Sequence, residues 1–229
     1  MCGRFVLDLE WGDVLAALGI DVERLEGFNV APSWNVGPMS PGVIVREHEG
    51  TREVAVARWG LVPGWAKEHT IGAKMFNARS ETVREKPAFR SAFARRRCVV
   101  PMNGFYEWKA SAGEKQPWYV TRADGEAMLC AGLWEYWEGA GEGALETFSV
   151  ITTTPNAFMS GLHDRMPCVL EPEMVGGWLS SGVDEAQAML VPAAEGVLRG
   201  HAVSKRVGNV RNDGPGLIEP AETQGGLFS

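Results

Sequence analysis

The chain has 229 residues, 45% of them apolar and 22% charged, with a formal net charge of −7. That length suits one large domain or two small ones, and the apolar content excludes a disordered chain. No apolar run approaches the ~18–20 residues of a membrane span and no signal-peptide core is present, while 22 basic against 29 acidic residues exclude a globally basic nucleic-acid coat.

In chain order, the spacing of Leu9, Val14, Leu15 and Leu18 predicts a helix over 9–18, with Asp8 as N-cap and Gly19 as its stop. Residues 42–47 and 52–59 read as strands joined by a turn at Glu49-Gly50. Pro87, Phe89, Ala92 and Phe93 predict a short helix whose C-terminal dipole suits Arg95, Arg96 and Arg97. Strand patterns recur over 97–100, 105–109, 118–122, 128–134 and 147–153. A short helix begins at Pro155, and helices are expected over 172–179 and 184–190. With no long linker and no internal repeat, one α+β domain over 1–213 is expected, followed by a frayed Gly-rich tail over 214–229.

Charge is unevenly spread. Between Arg79 and Arg97 seven basic residues face two acidic ones, a net of +5 that leaves −12 for the rest of the chain. Such a window reads as a solvated helix face or as a narrow track for an anionic partner. Four cysteines and four histidines show neither a C-x-x-C pair nor zinc spacing, so no metal and no cofactor are expected. Without a secretory signal a reducing cytoplasm is the expected compartment. Cys98, Cys130 and Cys168 lie in apolar runs and read as core.

Cys2 differs because it follows the initiator Met1. If Met1 is removed, the α-amine and the thiol stand on adjacent carbons. Such a 1,2-aminothiol traps aldehydes: the amine forms an imine and the thiol closes it to a thiazolidine. It could equally serve as an N-terminal nucleophile. On this residue alone, a cysteine that happens to stand second is the favoured reading.

Further blocks follow in order: Met1-Cys2-Gly3-Arg4-Phe5, Phe28-Asn29-Val30-Ala31-Pro32, Arg58-Trp59-Gly60-Leu61-Val62-Pro63-Gly64-Trp65 and Phe76-Asn77-Ala78-Arg79-Ser80-Glu81-Thr82. Then come Gly104-Phe105-Tyr106-Glu107-Trp108-Lys109, Thr152-Thr153-Thr154-Pro155-Asn156, Leu162-His163-Asp164-Arg165-Met166-Pro167 and Val207-Gly208-Asn209-Val210. In this order and spacing the chain resembles the SOS response-associated peptidase (SRAP) family, from Cys2 to about Asn212.

The resemblance implies a mostly antiparallel, barrel-like sheet core with a few flanking helices. It also implies a sensor and shield for abasic sites in single-stranded DNA, part of the SOS-associated DNA-damage response. Cys2 would form a covalent thiazolidine crosslink with the ring-opened sugar, after a proposed autocatalytic release of Met1. Asn77, Glu107 and His163 are its implied catalytic partners, and Arg4, Arg79 and Arg165 its phosphate contacts. Trp65 and Trp108 would stack on bases, and Thr152 would offer a hydroxyl near the site. The expected protein is a monomer in the cytoplasm, on damaged DNA in the nucleoid.

Each residue also has a plainer reading. Asn77 alone reads as an Asx-type turn residue. Glu107 sits in an apolar strand, opposite in face to Tyr106 and Trp108. An apolar setting favours the protonated carboxyl, the form that acts as general acid. A single histidine is more often structural; in His163 a neutral imidazole would move protons on the imine and assist reversal. Asp164 is not expected to orient it, because strand neighbours point apart. Imine chemistry at C1′ also promotes β-elimination, so weak lyase activity is an expected by-product. The alternatives are an N-terminal-nucleophile or Cys–His peptidase, and a single-strand-binding module without chemistry.

Overall fold

The computed structural model describes residues 2–20, 30–48, 50–111, 113–139 and 143–221. Phe28, Asn29, Glu49 and the last part of the expected tail, 222–229, lie outside the described residues. The elements in order are β1 (Phe5–Leu7), α1 (Trp11–Leu18), β2 (Ser33–Val36), β3 (Pro41–His48), β4 (Thr51–Trp59), β5 (Asn77–Arg79), α2 (Arg90–Arg95), β6 (Arg97–Met102) and β7 (Gly104–Ser111). They continue with β8 (Glu114–Arg122), β9 (Met128–Gly139), β10 (Gly143–Thr153), α3 (Ala157–Ser160), β11 (Met166–Pro167), β12 (Val169–Leu170), α4 (Met174–Ser180), α5 (Val183–Ala188) and β13 (Leu198–Ala202).

Strands β10, β4, β3, β6 and β9 form a ring that the long β9–β10 hairpin closes, from Gly139↔Gly143 to Gly132↔Val150. Every pair in this five-stranded barrel is antiparallel except β4–β10. A second antiparallel sheet runs β13-β8-β7-β1-β2. The expected single α+β domain on a mostly antiparallel, barrel-like core is the fold that forms.

Alternation along the strands makes the core. On β6, Cys98 and Val100 enter one apolar cluster with Phe5, Phe105, Trp59 and Phe148, whereas Val99 enters another with Leu15, Phe93 and Trp178. The first cluster joins the two sheets; the second seats the helices on the barrel. Trp59 is fully buried at the junction, edge-on to Phe5 and Phe76 and stacked on Phe148.

Two backbone details place the site. Strand β4 stays beside β10 only to Phe148, after which β5 takes its place along Val150–Thr152. The chain between β4 and β5 leaves Trp59 through Gly60, at φ 127°, which packs on Gly72 so closely that a Cβ on Gly72 would lie 2.4 Å from the Gly60 carbonyl. Trp59 then donates its indole N–H to the carbonyl of Phe76 at 2.8 Å, fixing the residue before Asn77.

Several expectations need correction. Asp8 is not the N-cap of α1: Glu10 holds that position, and the Asp8 amide instead bonds the Asn103 side chain at 2.6 Å. The helix after Pro87 starts only at Arg90. Arg97 does not cap it in solvent; it is buried, donating to the carbonyls of Phe93 at 2.9 Å, Trp178 and Ser181. Arg96 pairs with Glu135 at 2.6 Å and Arg84 with Asp184 at 2.7 Å. The +5 window thus presents Arg79, Lys86, Arg90 and Arg95 as exposed cations in no ion pair among the described residues. Residues 214–221 are not frayed: Leu217 is buried, and Pro220 bridges to Val203. Among the described residues no helix is long and apolar enough to cross a membrane.

Candidate active site

Cys2 lies just before β1, between the two sheets. Backbone pairing of β1 with β7 continues upstream of Phe5↔Phe105 through the Tyr106 amide, which donates to the Arg4 carbonyl at 2.9 Å. Antiparallel progression carries Cys2 alongside the stretch of β7 that bears Glu107. Alternation does the rest. Tyr106 and Trp108 pack outward with Val6 and Val207, and Glu107 turns away from them and is 2% exposed.

From the barrel side, Asn77 on β5 donates its Nδ2 to the Cys2 carbonyl at 2.7 Å. The other end of that amide, Oδ1, is buried and accepts from no described residue. The Cys2 side chain is itself buried, with Sγ 3.9 Å from the Arg4 carbonyl. Burial, together with the nearby charge of Glu107, pushes its thiol well above the ordinary range, so it is a neutral S–H at physiological pH. Three of the four expected catalytic residues therefore converge on one point.

His163 comes in on the loop between α3 and β11, tied by its amide to the Met159 carbonyl at 2.8 Å. Its Nδ1 is 2.9 Å from Asp164 Oδ1 and 3.0 Å from the Arg165 amide. Asp164, not expected to orient the ring, does reach it. Residues 163–165 form a bend rather than a strand, so the neighbouring side chain folds back onto the ring. Nδ1 is engaged in either tautomer, as donor to the carboxylate or acceptor from the amide.

Two expected DNA contacts lie inside the protein. Thr152 has no exposed surface. Arg165 is 7% exposed and donates bidentately to Glu81 at 2.5 and 2.9 Å and to the Thr152 carbonyl at 2.6 Å. In this arrangement both brace β10 against the 163–165 loop. Arg4 is half-buried, held by Asn35 Oδ1 at 2.9 Å and the Val207 carbonyl at 2.8 Å. Arg79 is exposed beside Asn77, and Trp65 is 61% exposed. Trp108 is half-buried against the Val207 segment.

The sequence reading missed Glu81 and Asn35. Glu81 stands in the Phe76–Thr82 block, where its charge, opposite in sign to that of Arg165, was the available signal. Asn35 is 5% exposed and gathers the carbonyls of Val207, Asn209 and Asn212 at 3.3, 3.1 and 2.8 Å. No local pattern marks it, because these three carbonyls lie more than 170 residues away.

The family described as SOS response associated peptidase (SRAP) matches residues 1–210, and the chain belongs to it. Among its relatives, the abasic site processing protein YoqW of Bacillus subtilis is 37% identical over 96% of this chain and 99% of its own length. The abasic site processing protein YedK of Escherichia coli is 31% identical over 96% of this chain and 100% of its own. A crystal structure of a protein from Bacteroides thetaiotaomicron superposes with a TM-score of 0.83 at 27% identity, covering 96% of this chain and all of that one.

Proposed function

We propose that this protein processes abasic sites in single-stranded DNA and that Cys2, freed of Met1, captures the lesion as a thiazolidine. The Asn77 amide is the observation that carries the reading. One end holds the Cys2 carbonyl and the other is a buried acceptor without a described partner, and the freed Cys2 amine has an N–H to give it.

The chemistry follows in order. Hydrolysis of the Met1–Cys2 peptide bond exposes the amine. The amine adds to the C1′ aldehyde of the ring-opened sugar to give a carbinolamine. Loss of water, with a proton from the Glu107 carboxyl, gives the imine. The thiol then adds to the imine carbon, and its proton passes through Glu107 to the ring nitrogen. The net change is aldehyde plus aminothiol to thiazolidine plus one water. A thiol that stays protonated until it attacks requires a base at hand, and Glu107 is the carboxylate whose charge Cys2 feels.

His163 acts through Nε2 on the sugar hydroxyl during ring opening and reversal, with Nδ1 fixed by its own loop. Arg79 and the exposed cations of 86–95 supply phosphate contacts, and Trp65 stacks on a base. Arg165 and Thr152 brace the site, and Arg4 ties the 207–209 segment to it.

The test is a denaturing gel of the mature protein with single-stranded DNA carrying one abasic site. A heat-stable shifted band is expected, absent with intact DNA and lost in Cys2→Ala. Binding without a band in both proteins would favour a non-catalytic binding module. Peptide cleavage without DNA binding would favour a peptidase.

A further inference from the structure

At the end of β1 remote from Cys2, beyond Leu7, a cavity of about 560 Å³ opens between α1, β8 and β13. That volume is in the range of ligand pockets. Its floor is apolar, with Val14 and Leu129 buried, and its rim carries the exposed carboxylates Asp8, Asp13 and Glu126. Arg122 on the wall is already neutralised, paired with Asp124 at 2.7 Å and Glu171 at 3.1 Å. The rim therefore carries net negative charge.

A second, independent feature points to a ligand. Tyr119 lines the cavity, is 5% exposed and makes no hydrogen bond through its phenol among the described residues. Its ring is clamped by Tyr106, at 5.3 Å between centroids, and by His201 at 6.0 Å, which holds the hydroxyl at the cavity wall. The side chain is thus nine-tenths buried, with its one polar atom turned to the cavity and available to a ligand acceptor. Arg199, opposite Thr121 on β13, lines the same wall, exposed and in no ion pair among the described residues.

We propose that this cavity binds a basic peptide segment of a protein partner. The guanidinium or ammonium group sits among Asp8, Asp13 and Glu126, and its aliphatic stem lies on Val14 and Leu129. Backbone carbonyls of the peptide accept from Tyr119 and Arg199. A peptide supplies all three complements at once: a cation, an apolar stem and paired acceptors. The carboxylate rim repels phosphate, so the site is no extension of the DNA track and leaves that track clear for DNA.

The inference stands apart from the proposed chemistry and is tested separately. The ¹⁵N-labelled protein is titrated with Ac-Leu-Arg-Leu-Arg-Leu-amide and with the same peptide carrying citrulline for arginine. Amide shifts are expected along α1, at Asn103 and on β8, with the citrulline peptide weaker by about fivefold or more, the scale of one partly exposed charge contact. Asp13→Asn removes one exposed rim charge, and Tyr119→Phe removes a hydroxyl that bonds no described residue. Both are expected to weaken binding at least about threefold while crosslinking to abasic DNA is unchanged. Equal affinity for the two peptides would overturn the proposal. So would shifts confined to other surfaces, insensitivity to both substitutions, or no binding at all.

Discussion

The Asn77 side chain donates to the Cys2 carbonyl and keeps a buried acceptor in reserve, so truncating it removes positioning more than stability. Asn77→Ala is expected to cost about 1 kcal/mol of folding free energy. It is expected to slow crosslinking about a hundredfold, the scale of a misplaced nucleophile. Urea unfolding and single-turnover crosslinking rates separate the two effects. Glu81 works the other way. Its carboxylate holds the buried Arg165 guanidinium, and that hydrogen bond in turn holds the Glu81 carboxyl below the usual carboxylate range. Because Glu81 is itself half-exposed, Glu81→Gln is expected to cost only about 1–2 kcal/mol in urea melts. A depressed folded-state value means this contribution is present above the ordinary carboxylate range and is lost as pH falls through the folded value.

At the scale of elements, the crossover from β4 to β5 is what brings a barrel residue to the N-terminus. Gly72 packs against the Gly60 backbone with no room for a methyl group. Gly72→Ala is therefore expected to displace the segment leading to Asn77, costing about 1–3 kcal/mol and lowering crosslinking more than Asn77→Ala does. Near-unchanged far-UV circular dichroism with lost crosslinking would fit this; full activity would contradict it. The same crossover explains how far the sequence was legible. The long hairpin strands and α1 announce themselves by period and by Gly19, which adopts φ 65° as the helix stop. Strand β5 is three residues in parallel with β10, some 70 positions on, so nothing local separates Asn77-Ala78-Arg79 from a turn. Glu107 was readable by alternation. The burial of Arg97, Arg165 and Thr152 was not, since their partners come from distant segments and a charge count cannot see them.

For the molecule as a whole, four free thiols are buried in the junction of sheets and helices. Burial raises all of them, Cys168 to about 12, and the charge of Glu107 raises Cys2 further. The unfolded chain releases these protons first, so stability is complete below the ordinary thiol range and declines as pH rises above it. Tm is expected to fall steadily between about pH 9 and 10.5 in calorimetry, and a flat profile would contradict buried neutral thiols. The charge distribution has also narrowed. With Arg84, Arg96 and Arg97 engaged within the protein, the exposed cations of that window in no ion pair among the described residues are Arg79, Lys86, Arg90 and Arg95, a number that suits the proposed contact with a short strand and not a coat. Noncovalent affinity is then expected to be modest and to fall with salt, and the proposed covalent product to persist through the same salt steps. The most direct measurement is the intact mass of the product formed with a single-abasic-site oligonucleotide. The account predicts the protein without Met1, plus the DNA, minus one water, with the linkage mapped to Cys2. An adduct that retains Met1, or that Cys2→Ala forms equally well, would contradict it.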